Sequence, residues 1–397
     1  MAATGQNTAV RRRVKRVRKK FSWFSVRSGI DMPLLVLVFA LLGTGLIMLF
    51  SASFAYSLYQ YGSSTMFIAQ QARFALLGVA AMLVISYFDY HHLHKFMLPI
   101  AGATVLMLLM VLVLKGTPLA PVINGANRWL NIGIQFQPSE IAKFALILAL
   151  AHIISKNYDR MHTLRDGFAE PMIVIMIFAV LIVAEKHVSA TIIIALIGVL
   201  MMFVGGTKIR YFLPFGALGG GVLAYLVFFS DKFAYALARI QGWLDPFNPP
   251  EGIDTWQTQQ SLYAIGSGRF FGVGLGQSRQ KYLWLPEPQN DFIFAVICEE
   301  LGFIGAIAII LLFAAFVWRG VTVSLAAKDR FGMMLGLGIT FQVGVQAVLY
   351  IMVVTNTIPN TGISLPFFSY GGTQLLILLA EMGVLLSVSR SSNIEKN

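Results

Sequence analysis

Asp291 is the most informative acid in the chain: it follows LPEPQN and stands immediately before a long apolar run. An aspartate there can accept hydrogen bonds from the free N–H groups of a helix start. It can equally be a functional carboxylate, because ionisable groups at membrane depth are costly and point to function. Glu140 and Lys143, at i and i+3 in QPSEIAKF, share one helix face. They read as an ion pair that lets the helix insert, or as the polar wall of a cavity that receives a charged substrate. Glu185 and Lys186 stand in a short break between two apolar runs, as a solvated turn or a further part of such a cavity. Glu299 and Glu300 lie deeper in the run after Asp291 and suit structural partners rather than catalysis.

Residue types exclude several other chemistries. The sequence has no HExxH, no paired-cysteine metal site and no Walker phosphate loop. GVGLG at 272–276 follows no βαβ pattern, so it does not read as a nucleotide loop. His91, His92 and His94 adjoin Lys95 in a short loop and read as an interfacial patch rather than a metal site. No SxxK paired with KTG is present, so peptide cross-linking is not expected.

These residues must be positioned by elements suited to lipid. The chain has 397 residues, 57% of them hydrophobic and only 12% charged, whereas a soluble domain carries about 25% charge. So few ionisable groups cannot cover a soluble surface of this size, and the chain reads as a polytopic membrane protein. The single cysteine, Cys298, lies in an apolar run and excludes a disulfide scaffold. Of the 30 Lys and Arg behind the net charge of +12, eight fall between Arg11 and Lys20. With no nucleic-acid readout motif beside it, this arm is expected to face anionic headgroups of membrane lipids, not nucleic acid. No cleavable signal peptide is expected, since the first apolar run is long and others follow.

A span needs about 20 apolar residues. Ten runs qualify as an all-α integral membrane fold: 33–53, 73–88, 97–114, 139–155, 171–184, 188–204, 211–229, 292–318, 331–356 and 367–388. With both termini inside, 20 Lys and Arg face the cytoplasm and only Arg73, Lys115, Arg128 and Lys186 lie in short outer connections. That bias predicts an N-in, C-in topology. The expected organisation is a basic cytoplasmic arm (1–32), helices 1–7 (33–229), a large extracytoplasmic loop with short interfacial helices (230–290), helices 8–10 (291–390) and a tail (391–397). No internal repeat is evident, which weakens a transporter built from inverted halves.

The segments on this outer side carry a resemblance. NGANRWLNIG at 124–133, QPSEIAKF at 137–144, the stretch from QSLYAIGSGRFFGVGLGQSRQKY through LPEPQNDF to GFIG at 260–305, and TGISLPFFSYGG at 361–372 resemble the SEDS family (shape, elongation, division and sporulation). GLGQSRQKY and SLPFFSYGG look more like its FtsW and SpoVE branch than the RodA branch. Departures from the usual pattern are Arg269 after GSG, Cys298, LPEPQND, Tyr350 where asparagine is common, and EKHVSAT at 185–191.

The resemblance implies a peptidoglycan glycosyltransferase that polymerises lipid II, a disaccharide-peptide on a polyprenyl diphosphate, into β-1,4 glycan for cell-wall synthesis in division. It places the family's catalytic aspartate on Asp291. A positioned carboxylate can take the proton of the attacking hydroxyl, and diphosphate is already a good leaving group, so one carboxylate suffices. The leaving charge needs cations. Lys143 is the first candidate, then Arg73, Arg128, Arg279 and Lys281, with a divalent cation (Mg or Mn) as the alternative source. Glu140 and Glu185 join the expected cavity, and Ser369, Tyr370 and Gly371 either shape the site or form the turn into the last span. The implied partners are lipid II, the growing glycan strand, a class B penicillin-binding transpeptidase and other division proteins, at the septal plasma membrane. A lipid II flippase and a non-enzymatic division scaffold are the competing readings; a scaffold would not need Asp291.

Overall fold

The computed structural model describes residues 29–123, 126–229 and 234–391, without the side chains of 218, 222–229 and 234–236. The basic arm before residue 29 and the tail after Ser391 lie outside the described residues. The first three helices are α1 (Met32–Tyr61), α2 (Met66–Tyr87) and α3 (His91–Val113), and a two-strand hairpin of β1 (Leu130–Asn131) and β2 (Gln135–Phe136) follows. Then come α4 (Pro138–Lys156), α5 (Glu170–Ala184), α6 (Val188–Val204) and α7 (Phe212–Phe229). The segment after α7 holds α8 (Ala234–Leu244) and α9 (Trp256–Ser267), and the chain ends with α10 (Ile293–Leu325), α11 (Arg330–Val354) and α12 (Gly372–Arg390).

This is an all-helical integral membrane protein. Among the described residues, eight helices are long and apolar enough to cross a membrane. The 17-residue α6 and the 18-residue α7 complete the set of helices that fall, in order, on the ten apolar runs. Several ends differ from the expected ones. The first helix runs on to Tyr61 and stops where Gly62 turns left-handed, at φ 67°. The last helix begins at Gly372 rather than 367, because Phe367 has φ 67° and its neighbours close a turn, with the Leu365 carbonyl accepting from Phe368 and Ser369. An apolar stretch such as LPFF does not reveal that turn.

The centre of the bundle is α4, α11 and α12. The inward face of α4 is built of small and aliphatic residues, Ala142, Ala145, Leu146, Ala149 and Leu150, all buried. Close helix approach needs small residues, and α2 meets α12 this way: a Cβ on Gly78 would lie 2.6 Å from Leu379 and one on Gly383 2.7 Å from the Met82 carbonyl.

One helix is broken at depth. Gly302 in α10 has non-helical φ 67° and ψ −167°. The backbone of 268–274 docks at the break: Val273 and Gly274 donate to the carbonyls of Glu299 and Glu300 at 2.9 and 3.0 Å. In return Phe303 and Ile304 donate to Arg269 and Phe270 at 2.9 and 3.2 Å. Irregular backbone at membrane depth survives only where such partners satisfy it.

The carboxylates beside the break complete the anchor. Glu299 accepts from Ser278 Oγ at 2.5 Å and from the Arg279 N–H at 2.9 Å. Glu300 pairs with Lys281 at 2.8 Å and accepts from Ser51 Oγ of α1 at 2.7 Å. The segment that leads to Asp291 is thereby pinned to α1 and α10.

Candidate active site

Asp291 lies just ahead of α10 and is partly buried. It caps nothing: the N-cap of α10 is Phe292, and no side-chain cap bond is made there. Burial pushes its carboxyl up to about 6, and the negative charge of Glu287 adds to this, while Arg128 and Arg239 oppose it. A carboxylate in that range, facing two arginines, is suited to accept a proton near neutral pH beside a developing anion.

The walls of this site come from four parts of the chain, and the 355–371 connection between α11 and α12 joins them. Gly362 lies against the carboxylate, since a Cβ there would sit 3.3 Å from Asp291 Oδ2, and its φ of +64° suits glycine. The Thr361 carbonyl accepts from Ser189 Oγ of α6, and the Asn360 carbonyl accepts from Arg239 of α8 at 3.0 Å. Ser369 Oγ donates to the Asn290 carbonyl at 2.7 Å and accepts from the Leu365 N–H at 2.8 Å. The Tyr370 N–H donates to the Gln289 carbonyl at 2.9 Å, its hydroxyl donates to Gln70 at 2.7 Å, and the Gly371 N–H donates to Gln71 at 3.1 Å. Ser369, Tyr370 and Gly371 thus hold the residues before Asp291 onto the start of α2.

Gly362→Ala is therefore expected to push the carboxylate aside. The contact asks the carboxylate to give by a few tenths of an ångström, which costs less in rate than the ~100-fold of a misplacement of about 1 Å, and the left-handed backbone adds about 1–2 kcal/mol of strain. Turnover and thermal unfolding of the variant, measured together, check this.

Glu140 and Lys143 form an ion pair. Lys143 is 2% exposed and lies 2.8 Å from Glu140 and 2.9 Å from Gln346 Oε1. Gln346 in turn donates to the Ser364 carbonyl at 2.9 Å, so the pair is wired to the same 355–371 connection.

Glu185 is not a solvated turn residue: it is 1% exposed, and neither carboxyl oxygen has a partner among the described residues. Burial raises it to about 8 against the pull of Arg128. The arginine side chain of Arg128 donates to the Lys186 carbonyl at 2.5 Å, which seats it over this turn. His187 is held by Gln137 and Ser139, each 3.2 Å from Nδ1. Burial, then Arg128 and Lys143, press it down to about 3, so it is neutral.

Of three other expected phosphate ligands, one is buried in an ion pair and two are exposed. Lys281 is 2% exposed and spent on Glu300 and Ser51, with no reach left for a substrate. Arg279 is exposed, its backbone N–H held by Glu299. Arg73 is exposed near the start of α2.

Sequence reasoning missed Arg239, Glu287, Gln346 and Gly362, and marked Tyr350 only as a departure from the family pattern. Arg239 had a signal, as a lone cation in the apolar AYALARIQGWL, and Gln346 had one as a polar residue inside an apolar helix. Among the described residues no group of three or more His, Cys, Asp or Glu could hold a metal ion.

A helical membrane bundle with one elevated aspartate and two arginines at one mouth defines the class. Residues 32–394 match the family described as cell cycle protein, FtsW/RodA/SpoVE, and the chain belongs to it. It is 39% identical over 360 residues to the probable peptidoglycan glycosyltransferase FtsW of Trichlorobacter lovleyi, covering 90% of this chain and 93% of that protein. It is 38% identical over 363 residues to stage V sporulation protein E of Bacillus subtilis, covering 91% and 97%.

Solved structures agree on the fold. A chain from a study of the structural coordination of polymerization and crosslinking by a peptidoglycan synthase complex aligns with TM-score 0.75 and 25% identity, over 91% of this chain and 98% of that one. The rod shape determining protein RodA of Thermus thermophilus aligns with TM-score 0.66 and 25% identity, over 92% and 99%.

Proposed function

We propose that this chain is a peptidoglycan glycosyltransferase that polymerises lipid II into β-1,4 glycan, with Asp291 as general base. The observation that carries the reading is a carboxylate just ahead of α10 that caps no helix and lies against Gly362, raised to about 6 by burial and Glu287 against the pull of Arg128 and Arg239. The acceptor sugar hydroxyl attacks the donor anomeric carbon and gives its proton to Asp291. The bond from that carbon to the diphosphate oxygen breaks as the glycosidic bond forms, so an α-linked donor becomes a β linkage. Arg128 and Arg239 face the charge that grows on the leaving diphosphate.

Glu140 and Lys143 form the polar wall for the sugar-peptide head. Glu185, protonated at neutral pH by its burial, is a donor to a substrate oxygen. The ten helices cross the plasma membrane with both termini inside and the Asp291 mouth outside, where the polyprenyl tail stays in lipid. A transpeptidase of the class B penicillin-binding type works beside it on the nascent strand at the division septum. The name of the peptidoglycan synthase structure supports pairing polymerisation with cross-linking.

Purified protein in liposomes with lipid II is expected to yield glycan ladders, more with the transpeptidase present. Lipid II crossing the membrane with no polymer formed would favour a flippase. The pH dependence follows from Asp291. Its folded value of about 6 is raised from 3.8, so the base form is lost as pH falls through about 6. Polymerisation should drop about tenfold per unit below that value. A rate flat through this range would remove Asp291 as the base.

A further inference from the structure

Two aspartates are the N-caps of long apolar helices, and a third, Asp291, stands one residue before the N-cap of α10. Asp31 accepts the N–H of Leu34 at 3.0 Å and caps α1. Asp329 accepts the N–H of Gly332 at 2.9 Å and caps α11. In both, the carboxylate takes the N–H three residues on, the usual capping bond. Both carboxylates are also tied by side chains, Asp31 by Arg319 at 2.6 Å and Asp329 by the Tyr90 hydroxyl. Asp291 stands one residue farther out, before the N-cap Phe292 of α10, and the N–H three residues on from it belongs to Phe294. That N–H donates instead to the phenol oxygen of Tyr350, 3.1 Å away on α11. Tyr350 is fully buried, so no water competes for the bond.

We propose that Tyr350 is a positioning residue for glycosyl transfer: by accepting the Phe294 N–H it takes the bond that would otherwise hold Asp291 as a helix cap, and so keeps the carboxylate open to the acceptor hydroxyl. This inference rests on the reading of Asp291 as general base. The two capping aspartates show that a carboxylate takes the N–H three residues on where that N–H is free; at Asp291 that N–H is held by Tyr350. A hydrogen bond from an N–H to a carboxylate favours its charged form. A capped Asp291 would therefore titrate lower, be a weaker base and point along the helix rather than into the site.

The charged groups that act on Asp291 are Glu287 from its own segment, Arg128 from the connection before α4 and Arg239 from α8. Tyr350 faces it from α11. Tyr350→Phe alters none of the three charges and removes one acceptor atom, so a shifted titration would report the cap.

The test is lipid II polymerisation by full-length protein in liposomes with its transpeptidase, followed against pH for wild type, Tyr350→Phe, and Tyr350→Phe combined with Phe294→Pro. Proline deletes the N–H at a first-turn position where the ring is tolerated. In Tyr350→Phe the acid limb is expected to move from about 6 down by about one to two units. kcat at neutral pH should fall roughly tenfold, with KM held. The double variant should return the limb to about 6. The limb position does not depend on the folded fraction, so partial misfolding leaves the reading intact.

A limb that stays at about 6 in Tyr350→Phe would overturn the proposal, whatever the rate. Should Tyr350→Phe give no polymer, activity regained in the double variant supports the proposal, and none regained overturns it. Asp291→Asn run alongside separates the two ideas. If that variant polymerises normally, the base assignment itself fails; if it is inactive while Tyr350→Phe keeps its limb, only Tyr350 is excluded.

Discussion

Asp291→Asn is expected to lose roughly 10²–10⁴-fold in polymerisation while keeping KM and fold. The amide fills the same space and cannot accept the hydroxyl proton. It also removes a charge the folded state accommodates poorly. The carboxyl's value is raised by burial from 3.8 to about 6, which means that at neutral pH the folded protein bears the cost of an ionised, partly buried group. Sign follows: the protonated form is favoured by folding, so stability is fully present below 3.8 and part of it is lost as pH rises through about 6. Asn mimics the protonated form. Thermal unfolding of Asp291→Asn at neutral pH should thus be unchanged or higher than wild type, the pattern of a residue kept for activity at some expense of stability. Inactivity with a lowered unfolding temperature would instead mark a structural role.

Lys281→Met is expected to destabilise the protein strongly, and for a reason unrelated to substrate. The ammonium and the Glu300 carboxylate are 2% and 0% exposed and 2.8 Å apart. Removing one member of such a pair strands the other charge, at a cost of about 3–5 kcal/mol. Glu300 would be left with Ser51 Oγ and the Ser278 N–H. The break in α10 and the 268–281 segment docked on it would loosen together, and polymerisation would fall with them.

Lys281→Met combined with Glu300→Gln removes both charges. It should recover most of the stability, since replacing a buried pair by neutral groups is often near neutral. Activity should return with it. Unfolding midpoints and polymerisation rates of the single and double variants decide the matter. A double variant that is stable yet inactive would mean that Lys281 does touch the diphosphate.

Most of the membrane architecture was legible because a bilayer demands long apolar runs, and every such run here became a helix. What was not legible depends on backbone torsions or on distant pairings. The start of α2 at Met66 lies before its apolar stretch, in polar FIAQQAR, where Gln71 faces inward to Ser369 and Gly371. Phe367, with φ 67°, stops a helix that hydropathy alone would extend.

At the site, Asp291, Lys143 and Glu140 stood out as charges beside apolar sequence. Lys281 stood out in the same way and was misread, because nothing local says that it meets Glu300 and Ser51, 19 and 230 residues away. Tyr350 stood out only as a tyrosine where the resembled family commonly has asparagine. Its bond to Phe294 spans 56 residues and two helices, and a tyrosine in an apolar run reads as packing until the two helices are laid side by side.

The most direct test of the central claim is glycan bond formation on lipid II by wild type and Asp291→Asn in the same liposomes, with the transpeptidase present and folding checked by thermal unfolding. Ladders from wild type, none from a folded Asp291→Asn, and a wild-type acid limb at about 6 are the results predicted. Polymer from Asp291→Asn at the wild-type rate would contradict the account, because the amide cannot take the proton of the attacking hydroxyl.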